Sequence, residues 1–392
     1  MKNIDIYGME VKLESLKDAG PRFWGVVIAL GIVVVTGLFL SAMQLPFFQG
    51  LSITNMRDVF SWGFYIQNFM YFVGLAAGGL VVYASVSLFG AEDFAPVSRI
   101  AVLQAGVCVV LAFLFIMVDM GHPERGFWMM LTPNFKSMLL YDAAILNIYM
   151  GLCAFDAWVL MSGRGTPKVE LVLTLVSLPA AIGMHSITAW VLSLSKAREG
   201  WHTALMAPVF ISSAMVSGIA LLVLISMAVN RFTDIKFKDT MFNKLAKLLA
   251  TIIPVDLFLL LCEILSSTWP TSTTPGHWVR ITMLLTGRYS PLFMFEIFMG
   301  GVLPFFLLAI PKTRVQRRFQ ILSCVLILIG VFIKRFMFIV LGFAVTPLGP
   351  NGVAYAPSLV ELLVTLALWS IGILIFMFAV KTLPVKVPEE GH

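Results

Sequence analysis

Trp24-Gly-Val-Val-Ile-Ala-Leu-Gly-Ile-Val-Val-Val-Thr-Gly-Leu-Phe-Leu-Ser-Ala-Met43 contains no ionisable side chain. In a helix, a stretch of about 20 such residues spans about 30 Å, the thickness of a bilayer core. Backbone groups in lipid must be satisfied internally, so the choice lies between helices and a closed barrel. Barrel strands would alternate in character over about ten residues. This stretch does not, and neither do the others like it.

Working outward, nine more apolar stretches of helical length follow, and the sequence predicts ten spans at 21–43, 62–89, 98–120, 137–162, 169–195, 205–230, 243–268, 289–311, 318–346 and 358–380. The composition agrees: 59% of the 392 residues are hydrophobic and 12% are charged, with a mean hydropathy of +0.93. The expected fold is all-α, a polytopic transmembrane bundle of about ten spans arranged as two four-helix bundles plus flanking helices. Residues 21–380 form its integral membrane domain. Residues 1–20 read as an interfacial amphipathic helix with Ile6, Met9, Leu13 and Leu16 at near-helical spacing, and 381–392 as a short tail.

Lys and Arg accumulate on the cytoplasmic side of membrane proteins. Of the 27 in this chain, 18 fall in the N-terminus, the tail and the even-numbered connections, and 7 in the opposite loops. Both termini are therefore expected in the cytoplasm, with the protein in the cytoplasmic membrane. Topology and attraction to anionic lipid account for the basic excess, which leaves no call for a nucleic acid partner.

That orientation places two motif-like loops on the outer surface: Asp119-Met-Gly-His-Pro-Glu-Arg-Gly-Phe127 and Leu194-Ser-Lys-Ala-Arg-Glu-Gly-Trp-His202. Cys108, Cys153, Cys262 and Cys324 sit singly in four different spans, without the close spacing of thiolate-held clusters. His185 is the one histidine placed within a span, and paired axial histidines for a b-type haem are lacking. No haem, iron–sulfur cluster or metal is expected on this chain.

Ionisable residues within spans point to function by default. Asp142 and Asp156 lie fourteen residues apart on span four, on nearly the same helix face. Asp256 and Glu263 share a face of span seven, and Lys334 and Arg335 sit near the middle of span nine. These groups suit either ion pairs that lock the bundle or a proton relay. His185 suits proton exchange with a ligand, or a hydrogen-bonded core position.

The ordered set of motifs resembles the NrfD/PsrC family of membrane subunits. It comprises Phe64-Tyr-Ile-Gln-Asn-Phe-Met-Tyr71 with Gly74-Leu-Ala-Ala-Gly-Gly79, Gly121-His-Pro-Glu-Arg125 with Thr132-Pro-Asn-Phe-Lys-Ser137, and His185-Ser with Trp190. Trp201-His-Thr-Ala-Leu-Met-Ala-Pro-Val-Phe210 with Ser217-Gly218, and Phe295-Glu-Ile-Phe-Met-Gly-Gly-Val-Leu-Pro304, complete it. Ten spans are similar to the longer branch, which includes the DsrP, HmcC, QrcD and ActC types. The resemblance implies a membrane subunit of a respiratory oxidoreductase complex that binds menaquinone, or a similar quinone, near the outer face. It further implies electron exchange with an outer-face, ferredoxin-like iron–sulfur protein, alongside further haem or catalytic subunits, in a sulfur-metabolism assembly.

On that basis His185, Asp119, Tyr71 and Asn68 are expected around the quinone headgroup, with Tyr141 and Asp142 behind them. His122, Glu124, Arg125, Trp201 and His202 would shape the pocket mouth or seat the partner, the alternative being hydrogen bonds to loop backbone and helix ends. Asp156, Asp256, Glu263, Glu296, Lys334 and Arg335 would carry protons. Two other classes stay open. A secondary transporter would use helices broken at Pro254 and Pro304, and a purely structural anchor would need the outer loops alone.

Overall fold

The computed structural model describes residues 3–198, 201–268, 282–346, 349–350 and 354–385. The expectation for the tail beyond residue 385 lies outside these residues. Ten helices are long and apolar enough to cross a membrane: α1 (Pro21–Met43), α2 (Phe64–Phe89), α3 (Ser98–Asp119), α4 (Met138–Met161), α5 (Pro167–Ser193), α6 (Met206–Phe232), α7 (Asp239–Thr268), α8 (Ser290–Ala309), α9 (Arg317–Ala344) and α10 (Leu359–Thr382).

The predicted spans match these helices to within four residues. The largest difference is at the start of α7, where the polar turn beginning at Asp239 extends the helix beyond its apolar stretch. The first twenty residues differ in kind. They form a small antiparallel hairpin, Ile4–Ile6 paired with Met9–Val11, followed by a 3-10 turn at Leu13–Leu16. The reason is local: Tyr7 and Gly8 both adopt positive φ, and the Asp5 carboxylate accepts from the Gly8 N–H at 2.5 Å. This turn reverses the chain where an amphipathic helix would have continued.

Helices α2–α5 pack as one four-helix bundle and α6–α9 as a second, while α1 lies along α10 on the flank. The bundles meet where α2 touches α6. A Cβ on Gly78 would stand 2.3 Å from the Gly218 Cα, so the two backbones approach as closely as glycines permit. Gln104 of α3 ties the junction, donating to the Leu75 carbonyl at 3.0 Å and the Gly218 carbonyl at 2.9 Å. The family-like Gly74–Gly79 and Ser217-Gly218 motifs are thus packing devices.

Neither proline unwinds its helix. α7 runs through Pro254 unbroken. In α8 a π-helical stretch, Phe295–Val302, immediately precedes Leu303 and Pro304, and ordinary α-helix resumes there. The broken helices that a transporter reading expected are absent from the described residues.

One face of the bundle collects the N-terminal segment and the end of α10. The Lys12 N–H donates to the Thr382 carbonyl at 2.8 Å, and Ser15 Oγ to the Lys381 carbonyl at 2.7 Å. We call this the proximal face. The Asp119–Phe127 loop and, of the other loop, residues 194–198, Trp201 and His202 lie on the distal face, together with the start of α2, where Tyr355 Oη accepts from the Phe64 N–H at 2.8 Å.

Candidate functional site

His185 lies about 12 Å from the distal end of α5, at 1.5 Å per residue. It is buried, and its Nδ1–H donates to the Ala181 carbonyl at 2.7 Å. A carbonyl only accepts, which fixes Nδ1 as the protonated nitrogen and leaves Nε2 as a bare acceptor in the neutral ring. Nε2 makes no hydrogen bond of ordinary geometry among the described residues, although the Val73 backbone lies within polar reach of the ring.

Arg335 of α9, also fully buried, lies close enough for its charge to act on the His185 ring. Its guanidinium stacks 3.9 Å above the Phe210 ring and donates from Nη2 to Ser213 Oγ at 2.7 Å. Nε and Nη1 have no partners among the described residues. One acceptor and two donor nitrogens, buried and without hydrogen bonds of ordinary geometry among the described residues, therefore lie within charge range of one another where the two bundles join. Unpaired buried groups cost about 1–3 kcal/mol each, so a bound partner gains what packing has left unspent.

Lys334 is adjacent in sequence but points elsewhere. Its Nζ stands 2.8 Å from Asp256 and 3.7 Å from Glu296, inside the second bundle. Ser212 Oγ donates to the other Asp256 oxygen at 2.7 Å. Glu263, Glu296 and Lys334 line a cleft that runs toward Leu284 and Leu341 at the distal end. The free space at its centre is about 30 Å³, room for two or three waters at about 10–15 Å³ each.

The other predicted residues disperse. Asn68 accepts from Trp369 Nε1 at 2.9 Å and Tyr71 stacks on that indole, so both turn toward α10. Tyr71 also donates to the Leu328 carbonyl at 3.3 Å. Asp142 accepts from Thr188 Oγ1 at 2.6 Å between α4 and α5, one helical turn from His185. Tyr141, in contrast, faces outward and donates to the Phe135 carbonyl at 3.0 Å. Asp119 ends α3 within charge range of Glu361, and its Oδ1 has no partner among the described residues.

At the loops, His122 Nδ1 bonds Glu124 at 2.8 Å, holding the Glu124 carboxyl below its ordinary range. Glu124 thus pairs with His122 rather than with Arg125, which is exposed. Trp201 is buried: its Nε1 donates to the Phe338 carbonyl at 2.6 Å, and its ring stacks on Trp62 and against Gly342. His202 bonds the Ser193 carbonyl at 2.7 Å. These last two fasten the distal ends of α5 and α9.

Several polar residues escaped the sequence reading. Glu361 is fully buried at the start of α10, where it forms a capping box with Ser358 and accepts from Tyr355. The Ser-x-x-Glu spacing before an apolar run is the signal that would have found it. Ser177 donates to Asp156 at 2.7 Å, and the Tyr83 and Tyr149 hydroxyls are buried nearby. On α5, polar positions at helical intervals through Thr174, Ser177 and Thr188 marked that face.

These features define a polytopic helical membrane protein with a polar centre at the junction of two bundles and a second, ion-paired centre inside one of them. Residues 52–347 match the family described as "Polysulphide reductase, NrfD", and the chain belongs to that family. It is 30% identical to a putative dimethyl sulfoxide reductase membrane subunit of Halobacterium salinarum, covering 97% of this chain and 95% of the relative. It is 25% identical to a selenate reductase subunit of Mesobacillus selenatarsenatis over 93% and 95%. Identity is also 25% to the Hdr-like menaquinol oxidoreductase integral membrane subunit of Archaeoglobus fulgidus, over 98% of both chains.

Proposed function

We propose that this chain is the quinone-reactive membrane subunit of a respiratory oxidoreductase complex, and that its ligand is menaquinone or menaquinol. The observation that carries this reading is the pair of buried groups at the junction, His185 with Nε2 and Arg335 with Nε and Nη1, that lack hydrogen bonds of ordinary geometry among the described residues and lie within charge range of each other. A bound quinone supplies an oxygen that accepts hydrogen bonds and, in the reduced state, a hydroxyl proton. Both functions suit this pair: Arg335 donates to the oxygen, and His185 Nε2 receives or returns the proton. Asp142, one turn away through Thr188, steadies that end of α5.

The chain holds no redox centre of its own in this reading. Electrons pass to or from an iron–sulfur protein seated on the distal face near His122, Glu124 and Arg125, with catalytic or haem-bearing chains completing the complex. The names of the relatives, a sulfoxide reductase subunit and a menaquinol oxidoreductase subunit among them, support this assembly and its connection with sulfur compounds. The bias of Lys and Arg toward the proximal side supports a cytoplasmic location for both termini. Interior carboxylates give the complex the means to move protons.

The test is quenching of a fluorescent naphthoquinol analogue by the purified complex. Wild type is expected to bind saturably, and His185→Ala and Arg335→Met each to weaken binding by about tenfold or more, the equivalent of about 1.4 kcal/mol. Absence of saturable binding to wild type would remove the quinone reading, and unchanged binding by both variants would remove the pocket from this place.

A further inference from the structure

The segment that joins the first distal loop to α4 carries an apolar surface that neither bundle covers. Its short helix, Gly126–Leu131, turns Gly126 inward, where a Cβ would stand 3.1 Å from Met120 Sδ. It turns Phe127, Trp128 and Leu131 outward, and they are 72%, 61% and 71% exposed. Phe135, just beyond the helix, is 71% exposed. No acidic residue stands between Arg125 and Lys136, and both of these cations are exposed.

The place of the segment says what covers it. Tyr141, Ile148 and Phe155 recur every seven residues on α4, so they share one face. All three are exposed on a helix long and apolar enough to cross a membrane, and that face is therefore its lipid side. Tyr141 belongs to the start of α4, and helical side chains lean toward the N-terminus, here the distal end. Its hydroxyl donates to the Phe135 carbonyl at 3.0 Å. This bond seats Phe135 over the lipid-facing stripe, level with the end of the span, and away from the junction of the bundles.

The backbone of the segment agrees. Peptide groups at the edge of a membrane must find their partners locally. The Trp128 carbonyl accepts from the Thr132 N–H at 2.8 Å and from Thr132 Oγ1 at 2.7 Å. The Asn134 carbonyl accepts from the Ser137 N–H at 2.9 Å, and Asn134 Oδ1 from the Lys136 N–H at 3.1 Å. Aromatic side chains bracketed by cations suit the headgroup layer, where indoles settle and Lys and Arg reach the phosphates.

We propose that residues 126–136 form an interfacial anchor whose partner is the phospholipid surface of the distal leaflet. Phe127, Trp128, Leu131 and Phe135 lie among the upper acyl carbons, and Lys136 faces the phosphates. Because Gly126 follows Arg125 directly, the anchor also sets the height of the His122–Arg125 turn and leaves its polar groups above the membrane. The quinone reading does not enter this assignment.

The test uses the full chain in vesicles of phosphatidylethanolamine and phosphatidylglycerol, alone and within its complex. Nitroxides are placed at Leu131→Cys and Phe135→Cys with the half-buried Cys262 removed as Cys262→Ser. Ile148→Cys on the lipid side of α4 and Lys196→Cys in the exposed distal loop serve as references. Collisions with oxygen are compared with collisions with a water-soluble nickel chelate. Both anchor positions are expected to favour oxygen several-fold more than Lys196→Cys does, approaching Ile148→Cys. Independently of the labelled variants, lipids brominated near the headgroup are expected to quench a fluorescence component present in wild type and lost in Trp128→Phe. Chelate access equal to that of Lys196→Cys at both positions overturns the proposal, as does the same quenching in wild type and Trp128→Phe. Shielding from both reagents that arises only in the assembled complex also overturns it, since the segment would then seat a protein.

Discussion

Replacing Lys334 with Met keeps the side chain's length and removes its charge, leaving Asp256 and Glu296 facing each other without the cation between them. In the native protein Nζ stands 2.8 Å from Asp256 and 3.7 Å from Glu296, and both carboxylates are buried. Breaking a buried pair by removing one partner costs about 3–5 kcal/mol, because the remaining charge keeps its desolvation penalty and loses its compensation. Ser212 still donates to Asp256, which holds the loss within that range. Lys334→Met is therefore expected to lower the free energy of unfolding, measured in mixed micelles of rising dodecyl sulfate fraction, by about 3–5 kcal/mol. The double variant Lys334→Met with Asp256→Leu should recover about half of that or more, since an apolar replacement of a whole pair is close to neutral. A loss below about 1 kcal/mol in the single variant, the range of exposed pairs, would refute the reasoning. A double variant no better than the single one would transfer the weight of the pairing to Glu296.

Two further expectations follow from the packing and from the distal loop. Gly78→Val should weaken the junction of the bundles by about 1–3 kcal/mol in the same assay, because its Cβ would meet the Gly218 backbone at 2.3 Å and backbone cannot rotate away; a stability within error of wild type would show that α2 and α6 are not in contact there. The Glu124 carboxyl is held low by the His122 hydrogen bond. A depressed acid stabilises the loop above its ordinary range and loses that contribution as pH falls through the lowered value, so amide exchange across Gly121–Arg125 should quicken on acidification in wild type but not in Glu124→Gln.

Hydropathy alone located all ten helices, because lipid enforces a length and an apolar content that few soluble segments share. It failed where structure depends on a handful of local contacts. The hairpin at Ile4–Val11 rests on a turn at Tyr7 and Gly8, and alternation over three residues per strand is too short to register as a pattern. The site was legible in its ingredients and less so in their grouping. His185, Asp142, Asp156, Asp256 and Lys334 all drew notice as polar residues in apolar spans, and the structure buries every one of them. Which of them meet is decided by pairings between helices far apart in sequence, such as Ser212 with Asp256 or Thr188 with Asp142, and no single helix encodes those. The serines and threonines that complete these pairs were passed over because, taken singly, they are ordinary residues in a membrane helix.

The division of labour between Lys334 and Arg335 shows why grouping matters more than inventory. Successive residues of a helix point about 100° apart, so two neighbouring cations on α9 serve different bundles. Lys334 is compensated by two carboxylates and closes the second bundle on itself. Arg335 is held by Ser213 and Phe210, and its Nε and Nη1 make no hydrogen bond of ordinary geometry among the described residues. A cation with its counter-ions already in place has little to offer a ligand, whereas a positioned guanidinium with spare donors gains from one. In the proposed function the reactive centre accordingly belongs at the junction, where those nitrogens lie within charge range of one another.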